Sequence, residues 1–305
     1  PWFVLVLVTG LQFWSIPFLS LLEGCGQVQT VYRFRFIQGV LITLAIWLTL
    51  YFGFGLWIAV IGFGVSFLSS LYLIVIFYRN FFKPFFNIKP VVQIQWRGEI
   101  WPMQWRLAVG GMMSFFMVSI YTPILFHYHG ATLAGQMGMS AQLITALNTL
   151  AMAWVATRVP RYGVLVAQKK YAELDRLFFK TSGVSMGVVI VGALVLGLLV
   201  YGLNSMSYPI AQRLLPPLPF GLFIAGTVLG QIAQCQSAYL RAHKQEPFMI
   251  YSIVCGVINV SLVWFLGSKF GAMGASVGYL SVMIFFSVPL GSYIWLQKRK
   301  QWHIA

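Results

Sequence analysis

"GVSMGVVIVGALVLGLLVYGL", Gly183 to Leu203, carries no charge over 21 residues, and its only hydrogen-bonding side chains are Ser185 and Tyr201. As an α-helix it would be about 30 Å long, the thickness of a bilayer's hydrocarbon core. In lipid each backbone N–H must find a carbonyl within its own segment unless strands close into a barrel, and this stretch lacks the alternation of barrel strands. It predicts a membrane-spanning helix.

Eight further runs fit the same description: Trp2–Leu22, Ile37–Phe52, Leu56–Tyr78, Leu107–Phe126, Leu133–Thr157, Leu218–Leu240, Phe248–Gly267 and Gly274–Leu296. With Gly183–Leu203 sixth in order, they predict an all-α integral membrane fold of nine spans. The second run is short, with Arg33 and Arg35 placed to snorkel at its edge. Composition agrees: 59% of residues are hydrophobic, 17% aromatic and only 8% charged, with a mean hydropathy of +0.82. A 305-residue soluble protein this apolar could not cover its surface.

The net charge of +15 does not mark a nucleic-acid surface, because of where it falls. The connections after spans one, three, five and seven, with the C-terminal tail, hold 2, 5, 6, 2 and 3 Lys/Arg, 18 of the 20. Alternating spans put all five segments on one side, which the positive-inside rule makes cytoplasmic. The C-terminus is then cytoplasmic, and the membrane is the cell's inner, cytoplasmic membrane. Attraction to membrane lipid heads is expected to be secondary, and no nucleic-acid partner is expected. Chain start Pro1, without Met or a basic leader, is expected to lack the protein's true N-terminus.

An internal repeat organises the spans. "GVLITLAIWLTLYFGFG" (Gly39 to Gly55) aligns with "GVINVSLVWFLGSKFGAMG" (Gly256 to Gly274), matching Gly39 with Gly256, Trp47 with Trp264 and, after one insertion, Gly53 with Gly271. The copies lie six spans apart and so run in the same direction, as in transporters built from parallel repeats. The expected domains are 1–78, the last three helices of a first lobe; 79–106, a cytoplasmic interfacial linker; 107–296, a second six-helix lobe; and 297–305, a basic tail.

The segment "YTPILFHYHGATLAGQMGMSAQLITALNTLAMAWVATRVPRYGVLVAQKKYAELDRLF", with its "AGQMGMSAQ" helix entry and later Arg-Val-Pro-Arg, resembles the start of the second lobe of bacterial polysaccharide (O-antigen) flippases. "LLPPLPFGLFIAGTVLGQIAQCQSAYLRAHKQEPF" is similar to that family's tenth helix and following loop. These are the oligosaccharide-lipid transporters of the multidrug/oligosaccharidyl-lipid/polysaccharide exporter superfamily. The resemblance implies twelve helices in two lobes, alternating access, and transport of a polyprenyl-diphosphate-linked oligosaccharide rather than enzymatic turnover. A polysaccharide polymerase is left open as a partner, and no cofactor is expected.

Polar faces nominate a site. Thr227, Gln231, Gln234 and Arg241 fall within an arc of about 80° at 100° per residue, with Ser237 at its edge and Gln236 opposite. Amides suit carbohydrate because they both donate and accept hydrogen bonds; the competing role is interhelical bonding. Gln142, Thr145 and Thr149 form a second face, with Met152 beside them; Ser114, Met117 and Tyr121 form a third. Arg158, Arg161 and Arg241 are candidates for a diphosphate, since a guanidinium fork pairs with phosphate oxygens.

Other chemistries find little. No Walker A motif occurs, and the GxSxG matches at Gly183–Gly187 and Gly274–Gly278 open predicted helices rather than strand-to-helix elbows. Cys25, Cys235 and Cys255 form no CxxC, and His127 and His129 lack a third metal ligand. No Asp, Glu, Lys or Arg lies deep in a span, so a cation-coupled multidrug exporter would need its carboxylate elsewhere. A glycan polymerase or acyltransferase would need outer acids, and the outer loops have no Asp or Glu.

Overall fold

The computed structural model describes residues 1–87 and 95–304, without the side chains of 85–87, 303 and 304. It is 90% helical with no strand among the described residues. Eight helical stretches are long and apolar enough to cross a membrane, which makes the chain a multi-pass membrane protein. The chain forms two compact units, Pro1–Gln93 and Ile94–Ala305.

The first unit contains α1 (Trp2–Gly24), α2 (Val28–Tyr51), α3 (Trp57–Tyr72, extended by a π turn over Leu73–Phe77) and the short α4 (Arg79–Asn87). Helix α2 starts well before the apolar run that announces it. Its first turns carry Arg33 and Arg35 on the helix, with Arg35 paired to Glu23 at 2.8 Å. One amide joins α2 to α3: Gln38 Nε2 donates to the Ser66 carbonyl and to the Ser69 and Ser70 hydroxyls at 2.8–3.0 Å. Where the hydrophobic effect does not drive helices together, such bonds and close contact between small residues hold them.

The second unit contains α5 (Trp101–Ser119), α6 (Tyr121–His129), α7 (Ala131–Ala156), α8 (Val159–Ala167), α9 (Tyr171–Ser205), α10 (Pro217–Ala242), α11 (Phe248–Val282) and α12 (Val288–Ile304). A π turn, Trp96–Ile100, leads into α5, and another, Met283–Ser287, joins α11 to α12. The expected run Leu107–Phe126 is divided at Ile120, three residues before Pro123.

The stretch Phe248–Trp302 is 55 residues long and reverses on itself at Gly271, whose φ of 59° and ψ of −138° no helix contains. Gly267 then packs against Ala275, and Gly278 against Leu262, as in an antiparallel hairpin. This reversal restores a ninth pass among the described residues. Its repeat counterpart Gly53 also has positive φ, +70°, at the α2–α3 turn. The aligned Trp47 and Trp264 are both exposed.

The 35-residue α9 opens at Tyr171, well before the apolar run Gly183–Leu203. Helix α12 runs through the basic tail to Ile304. The linker 79–106 is helical at both described ends, while 88–94 lie outside the described residues.

The tail is helical because it has partners. Arg299 donates from Nε and Nη2 to Asp175 Oδ2 of α9, and the Tyr239 hydroxyl of α10 donates to Asp175 Oδ1 at 3.0 Å. Arg299 also lies over the Trp295 and Phe179 rings, and His243 stacks on Trp302 at 3.8 Å. These groups sit on a core of Val155, Tyr162, Leu174, Phe178, Tyr239 and Trp295. A second core, around Tyr121, Leu125, Val189, Phe220 and Val263, fills the opposite end. Within this second core α7 and α9 approach closely at Gly192, where a Cβ would overlap Leu147.

The outer faces confirm the solvent. Val191, Leu194, Val195, Leu198 and Tyr201 of α9 are all exposed, a surface incompatible with water. Arg213 and Lys269 alone among the described Lys and Arg of this unit lie at the second core's end; the rest gather at the first.

Two predictions follow from this frame. Gly271→Ala is expected to cost about 1–3 kcal/mol in detergent unfolding, because its backbone region is nearly closed to side chains and its Cβ would crowd Leu133; Gly138→Ala, with open space in α7, should be neutral or slightly stabilising. Asp175→Asn should cost about 1–3 kcal/mol, since Arg299 is only partly buried, and adding Arg299→Gln should cost less than the sum of the two single changes.

Candidate functional site

One cleft in the second unit combines depth with convergent polar groups. It has a volume of about 430 Å³, within the roughly 300–1,000 Å³ of small-ligand sites. Helix α10 forms its floor with Gly230, Ala233, Gln234, Ser237, Ala238 and Arg241. The spacing explains the floor: steps of three and four residues return a helix to the same face. Gly230 to Arg241 extends about 16 Å along the axis. Helix α5 contributes Ser114, Met117 and Val118, and α7 contributes Met152. The remaining wall is Phe248, Tyr251, Ser252, Tyr279, Met283 and Ser287. By contrast, the 470 Å³ groove of the first unit, between Ile42, Ile46, Ala59 and Phe63, offers one polar side chain, Ser66.

Polarity is graded along the cleft. Its inner end is lined by Met117, Met152, Met283 and the Tyr279 ring. Its middle holds Gln234, Ser237 and Ser252, with Tyr251 and Ser287 joined hydroxyl to hydroxyl at 2.5 Å. At the outer end is Arg241, whose Nε donates to Glu246 Oε2 at 2.7 Å. The Glu246 side chain is 2% exposed while that of Arg241 is half exposed, so the pair holds the guanidinium in place and leaves part of it open. Arg241 is the only charged side chain lining the cleft among the described residues.

The predicted polar stripe divides. Gln234 and Arg241 line the cleft, but Gln231 does not. Gln231 is fully buried, donating to Ser185 Oγ of α9 at 2.6 Å, while Ser185 donates to the Ala151 carbonyl of α7. Met152 and Cys235 complete its surroundings. Gln231 and Gln234 are about 60° apart on the helix, and the edge between packed interface and cleft falls between them. Gln231 is thus corrected from cavity lining to a tie of α10, α9 and α7. Thr227 is corrected likewise: it is buried and its hydroxyl bonds back to the Phe223 carbonyl. Gln236 holds α12 by donating to Ser292 Oγ at 3.0 Å, as its opposite face suggested.

Tyr121 is also corrected to a core role. It is 1% exposed, its hydroxyl donates to Asn259 Oδ1 at 3.0 Å, and its ring packs edge-on against Phe223 and Tyr279. Gln142, Thr145 and Thr149 are exposed on α7, outside the cleft, with Thr149 bonded back to the Thr145 carbonyl. Arg158 and Arg161 are exposed at the start of α8 and likewise do not reach the cleft. Of the two GxSxG serines, Ser185 is the tie described above and Ser276 is buried inside α11. His129 Nε2 lies 2.9 Å from the Gly267 carbonyl and 3.1 Å from that of Ser268, at the hairpin tip.

Tyr251, Ser252 and Ser287 escaped the sequence reading. A small polar face at Ser252, Gly256 and Asn259 signals that this side of α11 packs closely, but not that its first turns open to a cleft.

Exchange of the two glutamines separates their roles. Gln231→Leu should change stability by less than about 1 kcal/mol, because it loses one tie but removes a buried carbonyl oxygen that lacks a partner. Gln234→Leu should leave unfolding unchanged and act on ligand binding alone, measured by ligand-dependent thermal shift.

Compared with known proteins, the chain matches no family model, no curated protein and no solved structure.

Proposed function

We propose that the protein is a flippase that carries a polyprenyl-diphosphate-linked oligosaccharide, an O-antigen-type repeat unit, across the cytoplasmic membrane by alternating access. The observation that carries this reading is the graded cleft: amide and hydroxyl groups of Gln234, Ser237, Tyr251 and Ser252, set in a membrane-spanning unit and ending at the half-open Arg241. A sugar moved through hydrocarbon without hydrogen-bond partners pays roughly 1–3 kcal/mol per stripped polar group. Neutral amides and hydroxyls replace its hydration without holding it through charge, so it can also leave. Arg241, steadied by Glu246, is the phosphate-binding group in this scheme. The lipid tail remains in the bilayer.

The two-lobe, twelve-helix architecture, the inner-membrane location and the cytoplasmic C-terminus belong to the same proposal. The paired reversals at Gly53 and Gly271 support two repeated lobes, and the gathering of basic residues at one end of the second unit supports the orientation.

A second reading has one specific observation in its favour. Met117, Met152 and Met283 form a deformable apolar wall, which suits varied amphiphiles and so a multidrug exporter. Reconstituted proteoliposomes with leaflet-resolved detection separate the two. For the flippase, Gln234→Leu with Ser237→Ala should cut translocation of a lipid-linked oligosaccharide at least tenfold, with dye export unaffected. Undiminished oligosaccharide translocation, or loss of dye export instead, would sink the assignment.

A further inference from the structure

A second, smaller cavity of about 250 Å³ lies at the basic end of the second unit, separate from the residues lining the cleft. Arg106 from the first turns of α5, Lys244 from the turn after α10 and Lys298 from the last turns of α12 converge on it. Glu99 and Glu246 are its acidic members. Glu246 is already neutralised by Arg241 at 2.7 Å, which leaves three cations facing one carboxylate. The floor is apolar, formed by Pro102, Met103 and Pro247.

Three features define what fits. The cations come from two helices and a turn that only the tertiary fold brings together, so the cavity is no mere run of topology charges along one loop. Helix α11 opens at Pro247–Phe248, which places the positive end of its backbone dipole at the cavity wall. Trp101 and Trp105, one turn apart at the start of α5, are exposed, as are aromatic side chains at the depth of lipid headgroups. A basic pocket between helix ends at that depth, with an apolar floor for glycerol and ester carbons, matches an anionic phospholipid.

We propose that this cavity is a binding site for the phosphodiester headgroup of an anionic phospholipid, held by Arg106, Lys244 and Lys298 and opposed by Glu99. The assignment does not depend on the transport reading. A resident lipid here bridges the start of α5, the α10–α11 turn and the end of α12.

Native mass spectrometry of the purified full chain, with phosphatidylglycerol and phosphatidylcholine as probes, tests it. Phosphatidylglycerol should be retained at least tenfold over phosphatidylcholine, with a preference that falls as salt rises. Each of Arg106→Gln, Lys244→Gln and Lys298→Gln should weaken phosphatidylglycerol binding about fivefold, and the triple variant about 100-fold. Glu99→Gln should strengthen it several-fold, a gain that a misfolded variant cannot mimic, and Lys298→Arg should retain it. Equal retention of the two lipids by the unmodified chain, or unchanged binding after either the triple exchange or Glu99→Gln, overturns the proposal. Displacement of the lipid by equimolar inorganic phosphate also overturns it, making the cavity a free-anion site.

Discussion

Gln231, Ser185 and Ala151 form a relay of two hydrogen bonds across three helices, and it selects the face of α10 that is packed rather than adding much to stability. Apolar side chains gain nothing by leaving lipid for each other, so membrane helices need contacts that lipid cannot offer. This relay is one, and the close approach of α7 and α9 at Gly192 is another. Together they fix how α10 sits, and therefore which of its faces is left over. The cleft floor is that remaining face. Similar ties recur: Gln38 on three groups of α3, Asn259 between Tyr121 and the Met117 carbonyl, and Gln236 on Ser292. Each glutamine or asparagine that seemed costly in an apolar chain is costly only if unpaired.

The same rule explains the ion pairs. Asp175, at 9% exposure, faces Arg299 and the Tyr239 hydroxyl together, and Glu246 faces Arg241. Both pairs sit at the basic end, where the helices emerge. There a carboxylate is tolerated if a guanidinium meets it, and the pair gains more than it would in water. One consequence is structural: α12 stays helical through three consecutive basic residues, Lys298 to Lys300, because one of them is neutralised and the others point to the cavity or to water.

The spans were legible in the sequence because hydrocarbon demands a long uninterrupted apolar run, and Gly183–Leu203 could be little else. Helix ends were not. Val28–Phe36 and Tyr171–Phe179 carry charges that make them resemble loops, yet both continue helices beyond the apolar zone. No hydropathy rule sees a charge satisfied by a residue far away in sequence, as Arg299 is by Asp175. The reversal at Gly271 was half legible: its glycine stood out in the repeat, but the positive φ that turns the chain did not. The site fared least well, since Gln231 and Gln234 share chemistry and nearly share a face. About 60° of rotation separates them, and only the positions of α7, α9 and α11 decide which one is packed.

That division bears on how a cleft in lipid could serve transport. Structural glutamines spend their amide N–H groups on protein, as Gln231 does on Ser185 and Gln236 on Ser292, so they have little left to donate to a ligand. A transporting group must instead be held loosely, free to exchange water, sugar and water again. Gln234 meets that condition, being exposed on the cleft floor, while Tyr251 and Ser287 meet it in part, bonded to each other yet lining the wall. Arg241 is intermediate, with one edge committed to Glu246 and half its surface open. A fully free arginine at this depth would draw lipid phosphate indiscriminately, and a fully buried pair would bind nothing. In the flippase proposed above, the half-committed arginine would favour an anion that arrives attached to a polar group already lodged among the amides, as a glycan joined to its carrier through a diphosphate would be.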